Sequence, residues 1–543
     1  MAPPLPRVAV TDEANEHEPW WWLLLFAVGL LVLRFSVATW GRFTEGDDIS
    51  IAAGVAALER GALGDAYRYG VQVGYYHLVA FLNKVSGGDL LAIPDVMVAI
   101  SVVAGVVIPV AGVRAFRDEL TRGERWMAGA LLAANPIIWQ ASRYGNTASA
   151  SVALTMVAAT ILSNRPSWRG EALAMACFAG AMLMRADAVL ATGVMFALLW
   201  RTHRSFVRAA LPLVLCGGVV AAIFGSLLLF DPRMGDVLKS VEQHSERPIT
   251  TRFVEFLVFG MSPVPLLMAA AGARDLQRGR PLLLAVLGVW MLPFVAFYFT
   301  NSTTARYLMQ LMPPLCVAAA VGVRGSLARA GWPRTVSWAV VLPLVFAHLF
   351  TGLSDFSPAR RRSWLTEAVL DSDDGPVYTG ALLYKSLVLR PDRERRWWSP
   401  PRFAPWNEVE RSLTLMFDTL AAGTRRGQRV VIVTNPAYGN ELHYFAQVAG
   451  MTMLGNEPGP EFGRVWRMAK GGAVVTTVGM NHLREVRAPL PVTAGDELWG
   501  VFPSRAVSDS LMLPIVPSGL TLRPLADWPN AKRLWRYTVE RES

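Results

Sequence analysis

VQVGYYHLVAFLNKVSGG, residues 71–88, is apolar enough to suggest a membrane span and too polar to make a good one. It carries Gln72, His77, Asn83 and Lys84 and stops early at Gly87-Gly88. A helix crossing the hydrocarbon needs about 20 predominantly apolar residues. The stretch therefore reads as a helix lying along the interface, with its aromatic rings at headgroup level. ISIAAGVAALERG (49–61) has the same amphipathic character and ends at glycine, as a short surface helix should. If neither crosses, everything between the first long apolar run and the next stays on one face.

The rest of the chain supports a membrane reading. Of 543 residues, 53% are apolar and only 17% charged, and the mean hydropathy is +0.33, values of a membrane protein. The net charge of +10 comes mainly from short loops between apolar runs, where arginine sets orientation, so nucleic-acid binding is excluded. Arginine far outnumbers lysine, and Ala and Gly are abundant, a composition expected of a GC-rich bacterial genome. Cys177, Cys216 and Cys316 lie inside apolar runs without metal-ligand spacing, which excludes a disulfide framework or a zinc site. The N-terminus lacks a basic n-region and a cleavage pattern, so the first apolar run is expected to remain as an anchor.

Apolar runs fall near 20–40, 90–113, 125–141, 146–163, 170–184, 186–200, 207–230, 251–273, 281–299, 305–323 and 333–353, about eleven transmembrane helices. The loops at 114–125, 164–169, 201–208, 273–280 and 324–334 are Arg-rich and alternate with Arg-poorer ones. By the positive-inside rule these five are cytoplasmic. The acidic tail 1–19, followed by Arg34 and Arg42, argues the other way for the first helix alone, and the five later loops outvote it. The tail is then cytoplasmic, and the region 41–88 and everything after 353 face outward.

After residue 353 the apolar runs shorten to strand length, as in VVIVT (430–434) and AVVTTV (473–478), and turns such as NPAYGN (435–440) and NEPGPEFG (456–463) intervene. Residues 354–543 are expected to form an extracytoplasmic soluble α/β or α+β domain. RPDRERRWWSPPRFAPW (390–406) reads as a basic loop able to lie against headgroups or simply to be solvated.

The outward segment GRFTEGDDIS (41–50) places Glu45, Asp47 and Asp48 directly after the first span. Acids there are either solvated loop residues or a catalytic base, a role worth about 10² to 10⁴ in rate. Two arginines fall on the same face: Arg185 in LMRADAVL (183–190), and Arg306 in TTARYLMQLMPPL (303–315), followed by Tyr307. Guanidinium geometry suits a phosphate, and an arginine at the membrane edge needs a partner. The plain alternatives are pairing of Arg185 with Asp187 and snorkelling of Arg306. His244 and Arg247 in VEQHSERP (241–248), and Arg143 in SRYGNTASAS (142–151), are further outward candidates for a lipid phosphate or substrate.

This order of long helix, acidic pair, two interfacial helices and long helix resembles the GT-C glycosyltransferases. The resemblance is to the branch of protein O-mannosyltransferases and the lipid A aminoarabinose transferase. It runs through Asp47-Asp48, VGYYHLVAFLNKVSGG, LMRADAVL and ARYLMQLMPPL, over roughly residues 20–353. Many relatives carry another acid in the next outward loop, where this chain has Asn146 and Thr147. The resemblance implies transfer of a sugar from a polyprenyl-phosphate donor, with inversion, to a protein, lipid or envelope-glycan acceptor at the inner (plasma) membrane. It implies Asp47 as base and Asp48 as a ligand for a divalent metal such as Mg or Mn. Arg185 and Arg306 would hold the departing lipid phosphate. The competing classes are a lipid-headgroup transporter or flippase, which needs no base, and a catalytically silent envelope scaffold. No inverted repeat or symmetric pair of broken helices is visible in favour of a transporter.

Overall fold

The computed structural model describes residues 20–38, 40, 46–62, 66, 72–164, 166–230, 250–261, 263–300, 305–331, 417, 429–434, 444–459, 463–470, 473–479, 492–501, 505–525 and 534–542. The tail 1–19, the eleventh expected span, the loop 390–406, His244 and Arg247 lie outside these residues. The chain is a polytopic helical membrane protein with a C-terminal sheet region. It divides into two compact units, Met1–Trp40 with Val71–Tyr75 and Met97–Pro401, and Gly41–Gly70 with Tyr76–Val96 and Arg402–Ser543.

In the first unit, four helices among the described residues are long and apolar enough to cross a membrane: Leu90–Arg114, Phe206–Leu229, Pro281–Thr300 and Arg306–Arg329. Trp20–Phe35 and Thr147–Ser163 are apolar but shorter. Other expected spans are interrupted for local reasons. The run 125–141 is two helices, Arg122–Ala134 and Pro136–Ala141, because Pro136 cannot donate a backbone bond. Asn135 caps the second piece, its Oδ1 accepting from the amides of Ile137 (3.0 Å) and Ile138 (3.1 Å). The run 251–273 splits into Thr250–Met261 and Pro263–Gly279. Asn135 Nδ2 donates to Gly260 O at 3.1 Å, so the two breaks are tied together. Interrupted helices are thus present, although the sequence showed no symmetric pair.

Arg34 of the first helix closes the break at Asn135. Its side chain is 1% exposed, donates to Ala133 O (3.1 Å), Ile138 O (3.5 Å) and Ser142 Oγ, and lies 4.7 Å from the Trp139 ring centre. Both carbonyls belong to helix ends; Ala133 O has no intrahelical partner, while Ile138 O also accepts from the Ser142 amide at 3.1 Å, and a cation suits their dipoles. Gly105 makes room, since a Cβ there would lie 2.4 Å from Ser142 Cβ. Pro263–Gly279 and Met312–Arg329 approach through Gly272 and Gly322. A Cβ on Gly272 would sit 1.8 Å from Ala318 O, and one on Gly322 2.0 Å from Met268 O.

The Arg-rich loops converge. Arg280 pairs with Glu124 (2.8 Å), His203 with Glu171 (3.0 Å), Arg329 with Asp275 (2.8 Å) and Arg201 with Glu119. Arg324 donates to Thr121, and Asn164 bonds Arg114 O (3.0 Å) and the amide of Arg117 (3.2 Å). One network therefore gathers residues from all five basic loops. Arg185, at the opposite end of the helix Trp168–Met184 from this network, lies towards the other end of the bundle.

The helices Gly46–Glu59, in the second unit, and Val73–Val85, most of it in that unit, stand at the two stretches expected to be short helices. Asn83 is fully buried, and its Nδ2 donates to the Glu59 carboxylate (3.0 and 3.2 Å) and to Asp89 O (3.1 Å). Arg60 donates to Gln447 O and Met451 O (3.2 Å), and the Tyr444 hydroxyl to Leu90 O. The strands β1 (Arg429–Thr434), β2 (Thr452–Gly459), β3 (Gly463–Lys470), β4 (Ala473–Gly479), β5 (Glu497–Val501), β6 (Leu520–Pro524) and β7 (Leu534–Arg541) form one sheet in the order β2-β3-β4-β1-β5-β7-β6, with β1 parallel to β4 and β5. Val430–Val433 are buried throughout, as a central strand covered on both faces requires. The expected turn 456–463 is partly strand. Asn456, Glu457 and Pro458 end β2 (Thr452–Gly459), paired with Trp466, Val465 and Arg464 of β3 (Gly463–Lys470). Pro458 is tolerated because β2 is an edge strand.

Candidate functional site

Between the helices Trp168–Met184 and Thr192–His203 the chain turns through Arg185 and the 3₁₀ segment Ala186–Ala191. A second 3₁₀ segment, Ala305–Leu311, leads into Met312–Arg329, which carries Pro313 and Pro314 in its first turn. Proline there costs no helix bond and presets the backbone. These two turns meet at a small cleft lined by Ala148, Ser151, Val152, Arg185, Asp187, Arg306, Tyr307 and Gln310.

Arg185 and Asp187 form a bidentate pair, Nε to Oδ1 at 2.9 Å and Nη2 to Oδ2 at 2.6 Å. The Tyr298 hydroxyl donates to the same carboxylate. Burial raises the Asp187 carboxyl, but the Arg185 charge and the hydrogen bonds from Arg185 and Tyr298 outweigh it and hold the group below the usual carboxylate range. The Arg185 guanidinium lies 4.4 Å from the Tyr307 ring centre, and that of Arg306 5.4 Å from the same ring. Tyr298 stacks on Tyr307 at 5.8 Å. Two cations thus contact one aromatic ring. Among the described residues Nη1 of Arg185 makes no hydrogen bond, so the pairing with Asp187 leaves donors over for a ligand. A guanidinium with a free edge presents planar N–H donors suited to an oxyanion.

Arg185, Arg306 and Tyr307 are therefore brought together. Arg143 is not; it lies in the turn between Pro136–Ala141 and the next helix, outside the cleft lining. Asn146, standing where relatives carry an acid, caps the helix Thr147–Ser163. Its Oδ1 accepts from the Ser149 amide at 3.0 Å, and its Nδ2 donates to Tyr144 O at 3.0 Å. Asp47 and Asp48 occupy the first turn of Gly46–Glu59 rather than a loop, a position where the helix dipole favours negative charge. Their side chains lie outside the described residues. Among the described residues no three His, Cys, Asp or Glu side chains gather as a metal site.

Sequence reasoning missed Tyr298, Gln310 and Ser151. Tyr298 sits near the end of an apolar helix and looks like one more interfacial aromatic, while Gln310 and Ser151 are isolated polar residues whose only signal was burial within an apolar run.

By sequence the chain matches no protein-family model and no curated protein. By structure it is similar to ArnT from Cupriavidus metallidurans bound to undecaprenyl phosphate, with a TM-score of 0.57 and 12% identity over 96% of this chain and 98% of that one. It is also similar to the arabinofuranosyltransferase AftD from Mycobacteria, with a TM-score of 0.55 and 16% identity over 98% of this chain. It spans only 40% of the AftD chain. The fold of this chain is that of the GT-C glycosyltransferases.

Proposed function

We propose that the protein is a membrane glycosyltransferase that takes a sugar from a polyprenyl-phosphate donor. The observation that carries this is the cleft in which Arg185 and Arg306 flank the Tyr307 ring and Arg185 keeps a donor over. The undecaprenyl phosphate named for the ArnT structure is the ligand chemistry such a cleft would suit. An acceptor hydroxyl attacks the anomeric carbon as the carbon–oxygen bond to phosphate breaks, inverting the configuration. Asp47 takes the hydroxyl proton, and Arg185 and Arg306 stabilise the phosphate that leaves. Asp48 is the residue that would hold a divalent metal. His244 and Arg247 are further contacts for donor or acceptor.

The converged basic loops support a cytoplasmic face opposite the cleft. Arg60 and Tyr444 bind backbone across the interfacial helices and the segments around Gln447 and Leu90, which supports one shared outward side for Asp47 and the domain 354–543. The acceptor is then an extracytoplasmic protein, lipid or envelope glycan. A transporter or a scaffold would consume no donor. Purified wild type is expected to consume a labelled polyprenyl-phosphate sugar, and Asp47→Asn to lose about 10² to 10⁴ of that rate while retaining its fold. Turnover near the wild-type rate in Asp47→Asn would remove Asp47 from the mechanism, and no turnover by wild type on any lipid-linked sugar would favour the transporter or scaffold.

A further inference from the structure

The cleft lining carries neutral polar groups beside the arginines. Gln310 is 3% exposed, and its Nε2 points at Thr155 Oγ1 at 3.4 Å. The Thr155 hydroxyl gives its proton to Ser151 O at 2.9 Å, so only its lone pairs face Gln310. That fixes which end of the amide is which. Gln310 Oε1 is then a buried acceptor with no partner among the described residues. Ser151 is fully buried, and its hydroxyl proton goes to Ala181 O at 3.1 Å, which leaves lone pairs at Oγ. Both residues line the cleft.

The cleft lining therefore combines guanidinium donors with neutral acceptors. An anionic oxygen would be repelled by Gln310 Oε1 and Ser151 Oγ, whereas a hydroxyl would give the orphaned oxygen its missing bond. A buried acceptor left unpaired is unfavourable, and a ligand that supplies the donor removes that cost. We propose that Gln310 and Ser151 form a specificity-determining acceptor pair that reads a sugar hydroxyl next to the phosphate held by Arg185 and Arg306. This rests on the lipid-linked donor reading above and extends it from the phosphate to the sugar.

Binding of undecaprenyl phosphate and of its glucosyl and arabinosyl phosphodiesters to the full-length protein in nanodiscs tests this. Wild type is expected to bind at least one glycosyl lipid more tightly than undecaprenyl phosphate. Gln310→Met should weaken that glycosyl lipid by about three- to tenfold, leave undecaprenyl phosphate unchanged, and not lower the melting temperature of the ligand-free protein. Weakening of all three lipids alike, a lowered melting temperature, or unchanged glycosyl-lipid binding would overturn the proposal. So would a wild type that binds undecaprenyl phosphate as tightly as both glycosyl lipids, and this result would leave the lipid-phosphate reading standing. A wild type that binds none of the three would overturn both.

Discussion

Two arginines in the membrane unit, Arg34 buried and Arg185 partly exposed, are held in contrasting ways. Arg185 faces a carboxylate and a tyrosine ring, keeps donors to spare, and lines a cleft. Arg34 faces two backbone carbonyls, a serine hydroxyl and a tryptophan ring, and its Nε is buried without a partner. An arginine at membrane depth is by default a functional candidate, yet the partners separate the cases. Carbonyls at helix ends make Arg34 a brace for the Asn135–Pro136 break. A neutralised charge beside open space makes Arg185 fit to meet a second anion.

If that contrast is right, the two sites should fail differently. The largest stability effect is expected for Arg185→Gln, which strands Asp187 and should cost about 3 kcal/mol. Adding Asp187→Asn should restore much of the thermal stability without restoring donor turnover. Recovery of both would show that Arg185 is there only for Asp187. Arg34→Met comes next, at about 1–3 kcal/mol for the Ala133 carbonyl left unpaired, with lipid-phosphate affinity unchanged in the protein that remains folded. Loss of affinity in step with stability would erase the distinction between the two arginines. Tyr298→Phe is smallest, about 1–2 kcal/mol for one bond to a charged acceptor. It should also make stability fall at a higher pH on acidification. The folded Asp187 carboxyl lies below its unfolded value, so its contribution is present above the unfolded value and lost as pH falls through the folded one. An unchanged acid limb in a pH series of melting curves would show that Tyr298 does not hold the carboxylate.

The same contrast shows what sequence could and could not supply. Arg185 announced itself as a charge between two short apolar runs, and the two short helices after the first long one followed from length and glycine placement, although the expected surface helix 49–61 is buried at Ala52, Ala53, Val55, Ala56 and Ala57. The break at Asn135–Pro136 was hidden because composition stays apolar on both sides, although an Asn-Pro step is itself a turn signal. Arg34 was read only for orientation, since its partners are backbone atoms some 100 residues away, at 133 and 138. Gln310 and Tyr298 gained meaning only when two turns far apart in sequence met at one cleft.

The most direct measurement is the affinity of the full-length protein for undecaprenyl phosphate, compared between wild type and the double variant Arg185→Gln/Asp187→Asn. The donor reading predicts saturable wild-type binding and a loss of at least tenfold in the variant, with melting temperatures nearly matched. Equal binding by both proteins would contradict a phosphate site at Arg185.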